Sequence, residues 1–140
     1  MKQMKSSKMK EAYEYDKPSA FSRGMSVELP GNVKMLFISG TASIGEKGET
    51  LYKGDFKKQA NKMFENVTDL LEKEKLTWKD VVKTTIYIRD IDRDYDNFNQ
   101  VRTAFYDKVG LKPYPASTCV EAKLCRNDLL VEMDLIVIKQ

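Results

Sequence analysis

Between Leu129 and Ile138 the chain is apolar at every position except Glu132 and Asp134. At a period of two these carboxylates fall on one face of a strand. A carboxylate in so apolar a setting needs a cationic partner, a wet cavity or a raised pKa, and in the last case it can exchange a proton near neutrality. Upstream, Pro115-Ala116-Ser117-Thr118-Cys119-Val120-Glu121 carries one thiol, and Cys125 follows six residues later. There is no histidine. His-based triads and His-liganded metals are thereby excluded, and two thiols at this spacing make a poor zinc site, so neither metal nor cofactor is expected. Acid–base chemistry falls to carboxylates, thiols, tyrosine or bound water.

The elements that must position these groups are legible from periodicity. Phe21 to Leu29 reads as a first strand closed by the turn Pro30-Gly31-Asn32. Val33 to Ile38 is a second strand running into Ser39-Gly40-Thr41-Ala42-Ser43-Ile44. Asp55 is a plausible N-cap for a helix whose stripe is Ala60, Met63, Phe64, Val67, Leu70 and Leu71, ending near Lys75. Val81 to Ile88 is a β-branched strand. Phe98, Val101, Phe105 and Val109 mark a second amphipathic helix, ended by Gly110. The last two strands read as a hairpin across Cys125-Arg126-Asn127-Asp128, with both cysteines on one strand and reduced. The order β-β-α-β-α-β-β, with an extra short strand near Leu51, predicts an α+β two-layer sandwich: a mixed sheet with two helices on one face.

At 140 residues, 41% hydrophobic and 32% charged, the chain suits one globular domain. Residues 1–16 are Lys-rich and aperiodic and are expected to be a mobile basic tail, with an ordered end at Tyr13 and Tyr15, before a single domain at 17–140. No run approaches the roughly 20 apolar residues that cross a bilayer, and the basic N-terminus has no hydrophobic stretch behind it. The expectation is a cytoplasmic protein with no membrane partner. A net charge of +3, with signs alternating outside the tail, leaves little electrostatic footprint for nucleic acid.

Ser39-Gly40, Gly54-Asp55, Gln59, Asn66, Asp80 to Thr85, Asn99, Pro115-Ala116, Cys119, Glu121 and Glu132 are ordered landmarks that resemble the RidA/YjgF family of enamine/imine deaminases, also called L-PSP-type endoribonucleases. The resemblance covers residues 19–139. It implies a fold like bacterial chorismate mutase, a homotrimer, and a small carboxylate ligand bound between subunits. Carried over by position, it places Gly40 on a ligand loop, Asn99 on the second helix, Cys119 at the site thiol and Glu132 at the water-orienting carboxylate. Phe21 stands where the family has a tyrosine. Ser117 stands where it has the arginine that grips the substrate carboxylate, which puts standard deaminase activity in doubt. Arg23, Arg102 and Arg126 are candidates to supply the missing cation, each otherwise a solvated surface arginine.

A second resemblance is to the C-terminal half of the chorismatases. Ile38 to Ile44, with Thr41 inside it, Cys125 to Glu132, and Phe21-Ser22-Arg23 carry it. It would place Cys125 and Glu132 together in a site, although the N-terminal half of those enzymes has no counterpart here. The expected function is a superfamily protein with an intersubunit carboxylate pocket and, if it is an enzyme, a hydrolase of deaminase or chorismatase type. The alternatives are a non-catalytic ligand-sensing or protein-interaction trimer, and the endoribonuclease, against which the missing histidine and modest charge count.

Overall fold

The computed structural model describes all 140 residues. Six strands form one sheet: β1 (Lys2–Met4), β2 (Gly24–Leu29), β3 (Val33–Ala42), β4 (Val81–Ile88), β5 (Ala116–Glu121) and β6 (Val131–Lys139), in the order β1-β2-β3-β6-β4-β5. Helix α1 (Phe56–Lys73) joins β3 to β4, and α2 (Ile91–Lys108) joins β4 to β5. The expected α+β architecture, two helices on a mixed sheet, is what forms. Asp55 caps α1 by accepting the Lys58 N–H at 3.0 Å, and Asp90 caps α2 through Arg93 in the same way. The cap satisfies donors that the first helical turn leaves orphaned.

Strand β6 sits at the centre, antiparallel to β3 on one edge and to β4 on the other. Its odd residues Val131, Met133, Leu135 and Val137 are buried with Leu36, Ile38, Ile86 and Ile88. The helices cover this face through Met63, Phe64, Val67, Leu70, Phe98 and Val101. Phe64 is the hub, with Phe98, Phe105, Trp78 and Tyr106 around it at centroid distances of 4.5–6.4 Å. No helix covers the opposite face. There Met25, Val27, Met35, Phe37, Ile136 and Ile138 lie side by side across three strands, only partly buried, and Phe37 is 45% exposed.

Two expectations are corrected. The last strands are not a hairpin, because β4 lies between β5 and β6. A strand–helix–strand crossover makes β5 parallel to β4 and delivers it to the outer edge of β4. The connection back to β6 then carries carbonyls that no hairpin ladder satisfies. The Arg89 side chain, at the end of β4, supplies the donors: to Leu129 O at 2.6 Å, Arg126 O at 2.5 Å and Leu124 O at 3.4 Å. Cys125 therefore sits in that connection and not on the strand of Cys119; both are free thiols.

The second correction concerns residues 1–16, which are built into the fold. β1 pairs with β2, Met4 is 1% exposed, and Met9, Glu11 and Ala12 are buried. The lysines that make this segment look like a tail point outward, while the intervening methionines fill the core. The first strand is also shorter than expected, so Phe21 and Arg23 precede β2. Near Leu51 there is a single bridge between Ile44 and Thr50 in place of a strand. Removing a buried Met side chain costs about 2–5 kcal/mol, so Met4→Ala is expected to destabilise the protein by that amount in urea unfolding. A tail lying outside the fold would show no change.

Candidate functional site

The sequence-predicted residues separate into two groups on opposite faces of the sheet. Glu132 lies opposite Tyr87 on one side and Ala42 on the other, with its side chain away from the helices. Ser117 and Cys119 pair with Thr84 and Ile86, whose side chains are on the helix-covered face. Each group lines its own cavity.

The larger cavity, about 880 Å³, is bordered by Phe21, Arg23, Gly40, Cys125, Arg126 and Glu132 among others. Gly40 is required here for space, since a methyl group on it would run into the Glu132 carboxylate. Glu132 makes no ion pair and no hydrogen bond within the chain. Burial pushes its pKa up, the nearby Asp134 charge adds to that, and Arg23 opposes it. Asp134 accepts the Tyr87 hydroxyl at 2.8 Å; that bond and burial raise the Tyr87 pKa. Glu132 is thus the carboxyl left without a partner in the chain, and Asp134 the one already committed. Arg23 is buried at 2% exposure, with Phe21 against its guanidinium at 5.3 Å. Thr41 is turned away: it is buried, donates to Ser39 O at 2.8 Å and lines neither cavity.

The smaller cavity, about 500 Å³, is lined by Ile91, Asp92, Tyr95, Arg102, Ser117 and Cys119. Arg102 dominates it. Its guanidinium donates to Asn99 Oδ1 at 2.5 Å and Ser117 Oγ at 3.3 Å, and stacks 5.0 Å from the Phe98 ring. Asn99 contributes by holding Arg102, one helical turn away. Burial pushes the Cys119 thiol up and Arg102 pulls it down, with burial the larger effect, so the thiol stays protonated and is a weak nucleophile. No group of His, Cys, Asp and Glu side chains is arranged to hold a metal ion.

The residues that the sequence did not reveal are Arg89, which braces the loop of Cys125 and Arg126, Tyr87 beside Asp134, and Tyr15 with Gly48 in the larger cavity. Arg89 carried no local signal, because its partners are main-chain carbonyls at least 35 residues away. An aromatic at the end of an otherwise lysine-rich segment was the one cue to Tyr15.

The fold agrees with known proteins. The family profile described as Endoribonuclease L-PSP matches residues 18–139. A RutC family protein of Pyrococcus abyssi is 30% identical over 105 residues, spanning 75% of this chain and 79% of that protein. A 2-iminobutanoate/2-iminopropanoate deaminase of Salmonella typhimurium is 30% identical over 86 residues, 61% of this chain and 66% of that one. The crystal structure of the YjgF gene product from E. coli superposes with a TM-score of 0.73 at 26% identity, covering 96% of this chain and 100% of that one. The chain belongs to the endoribonuclease L-PSP family, within the RidA/YjgF superfamily. No helix is long and apolar enough to cross a membrane.

The raised pKa of Glu132 has a consequence for stability. The folded chain holds this proton more tightly than the unfolded chain, so the contribution of Glu132 is complete below the ordinary carboxylate pKa and is lost as pH rises through its folded value. Glu132→Gln, permanently neutral, is expected to melt above the wild type at neutral pH, with the gap closing in acid. A Gln variant that melts lower at neutral pH would instead mean that Glu132 is held ionised by a partner.

Proposed function

We propose that this protein binds a small carboxylate metabolite in a pocket completed between the subunits of a homotrimer, and that standard 2-imino acid deamination is weak in it. The observation that carries the reading is Arg102. Its guanidinium lies against Ser117 in a cavity shared with Cys119, so a permanent cation reaches this cavity from α2 and not from β5. A guanidinium offers a planar fork of donors suited to a carboxylate. Coming from a neighbouring element, it meets the ligand from another direction, and positioning governs rate more severely than it governs binding.

Glu132 is the proton-transferring and water-orienting group of this reading, and any chemistry is hydrolytic. It lies on the sheet face opposite Arg102, so one chain cannot bring the two to one ligand. A second copy can. The uncovered apolar face around Phe37 and Ile136 supports such an assembly, because an exposed patch of this extent marks an association surface. Light scattering at micromolar concentration is expected to give three times the chain mass, and a monomer mass would remove the composite pocket.

Turnover of 2-iminobutanoate, measured beside the Salmonella deaminase, is expected to be lower by about 30-fold to several-thousand-fold, the equivalent of a lost charged pair worth about 2–5 kcal/mol. Ser117→Arg should recover part of that. Arg102→Gln should weaken binding of 2-oxobutanoate, a stable mimic of the substrate, at least about tenfold. Unchanged binding in Arg102→Gln would rule Arg102 out as the carboxylate anchor. Firm binding without turnover in every variant would leave a ligand-sensing trimer.

A further inference from the structure

The larger cavity holds two guanidiniums that enter no ion pair, although the charge of the buried Glu11, which accepts the Arg23 main-chain N–H at 3.3 Å, partly offsets that of Arg23. Arg23 and Arg126 enter none of the chain's ion pairs, so no acidic oxygen lies within 4.0 Å of either. Both stack on one ring: Arg23 lies 5.3 Å and Arg126 5.2 Å from the centre of Tyr15. Their hydrogen-bond partners are neutral. Arg23 donates to Lys10 O at 3.1 Å and to the Tyr15 hydroxyl; Arg126 donates to Gly48 O at 2.7 Å and Thr50 Oγ1 at 3.4 Å. One terminal nitrogen of each guanidinium, and Nε of Arg126, make no hydrogen bond within the chain.

The arrangement is built, since Tyr15 fits only because residue 48 is glycine. A Cβ on Gly48 would stand 2.5 Å from two carbons of the ring. Gly48 also has φ +85°, a backbone conformation that side chains disfavour. Four acidic side chains share the cavity, and none forms an ion pair with either guanidinium: burial raises the Glu132 pKa while Arg23 opposes it, Asp134 accepts from Tyr87, Glu49 accepts the Lys47 N–H at 3.0 Å, and Asp16 makes no ion pair. Glu11 offsets part of the charge of Arg23, which is 2% exposed, and an anion in the cavity would offset that of Arg126.

We propose that the Arg23–Tyr15–Arg126 stack is an anion subsite that receives a second acidic group of the ligand, which makes the natural ligand a small dicarboxylate. This rests on the carboxylate pocket proposed above and adds a second point of charge recognition to it. Arg126, the less buried of the two, makes the direct contact. Arg23 supplies field from behind and reads the ligand through its free edge. The N-terminal segment is part of the subsite, because Tyr15 and the Lys10 carbonyl come from it. The volume of about 880 Å³ leaves room for a chain longer than a three- or four-carbon acid.

Calorimetric titration of the full chain with 2-oxobutanoate and with 2-oxoglutarate tests this directly. The wild type is expected to bind the dicarboxylate about ten- to a hundredfold more tightly, the range of one charge-assisted contact. Arg126→Gln should abolish that preference while 2-oxobutanoate still binds as before. Arg126→Lys, which retains the charge and the local packing, should keep part of it. Equal affinity of the wild type for both acids, or a preference that survives in Arg126→Gln, overturns the subsite. If Arg102→Gln binds both acids normally and the preference persists, the anchor role of Arg102 falls and the subsite stands. If neither acid binds the wild type, the pocket and the subsite fall together.

Discussion

Strand β6 is hydrogen-bonded along both edges and buried on one face by two helices, and that constraint organises the rest of the molecule. A central strand cannot slip by one residue, since a slip would exchange Val131, Met133, Leu135 and Val137 with Glu132, Asp134, Ile136 and Ile138. The first set must face the helices. The second is thereby fixed on the uncovered side, carboxylates at one end and isoleucines at the other. The Glu132 carboxyl, without a hydrogen-bond partner in the chain, and the apolar patch are products of a single register.

Register also explains why the site residues divide. β5 enters from a strand–helix–strand crossover and pairs in parallel with β4 on its outer edge. In that position Ser117 and Cys119 share the face occupied by α2, and Arg102 reaches them from above. Glu132 is two strands away, on the other side of β4, and on the other face. Glu132 and Arg102 therefore lie on opposite faces of the sheet, each lining its own cavity.

Four of the arginines show how the fold orients a guanidinium outside an ion pair. Arg89 is spent on three main-chain carbonyls and fixes the connection that carries Cys125 and Arg126. Arg102 rests on Phe98 and Asn99, while Arg23 and Arg126 rest on Tyr15. Aromatic faces and neutral oxygens orient a guanidinium while leaving its charge unneutralised. A site made this way stays receptive to an anion. A pair such as Lys34 with Glu74 on the surface does not.

The sequence by itself determined the elements and the family. The stripe from Ala60 to Leu71, the β-branched run from Val81 to Ile88, the Asp55 cap and the carboxylates of an apolar last strand are local patterns, and local patterns survive in one dimension. Tertiary structure decided three other matters. It made Lys2–Met4 a strand, because burial of Met4 and pairing with β2 outweigh a lysine-rich composition. It placed β4 between the last two strands, because parallel crossovers deliver a strand to an open edge and a turn-like sequence cannot forbid that. It also set Arg102 beside Ser117 and brought both Arg23 and Arg126 against the ring of Tyr15. Those distances join residues far apart in the chain, where no spacing rule reaches.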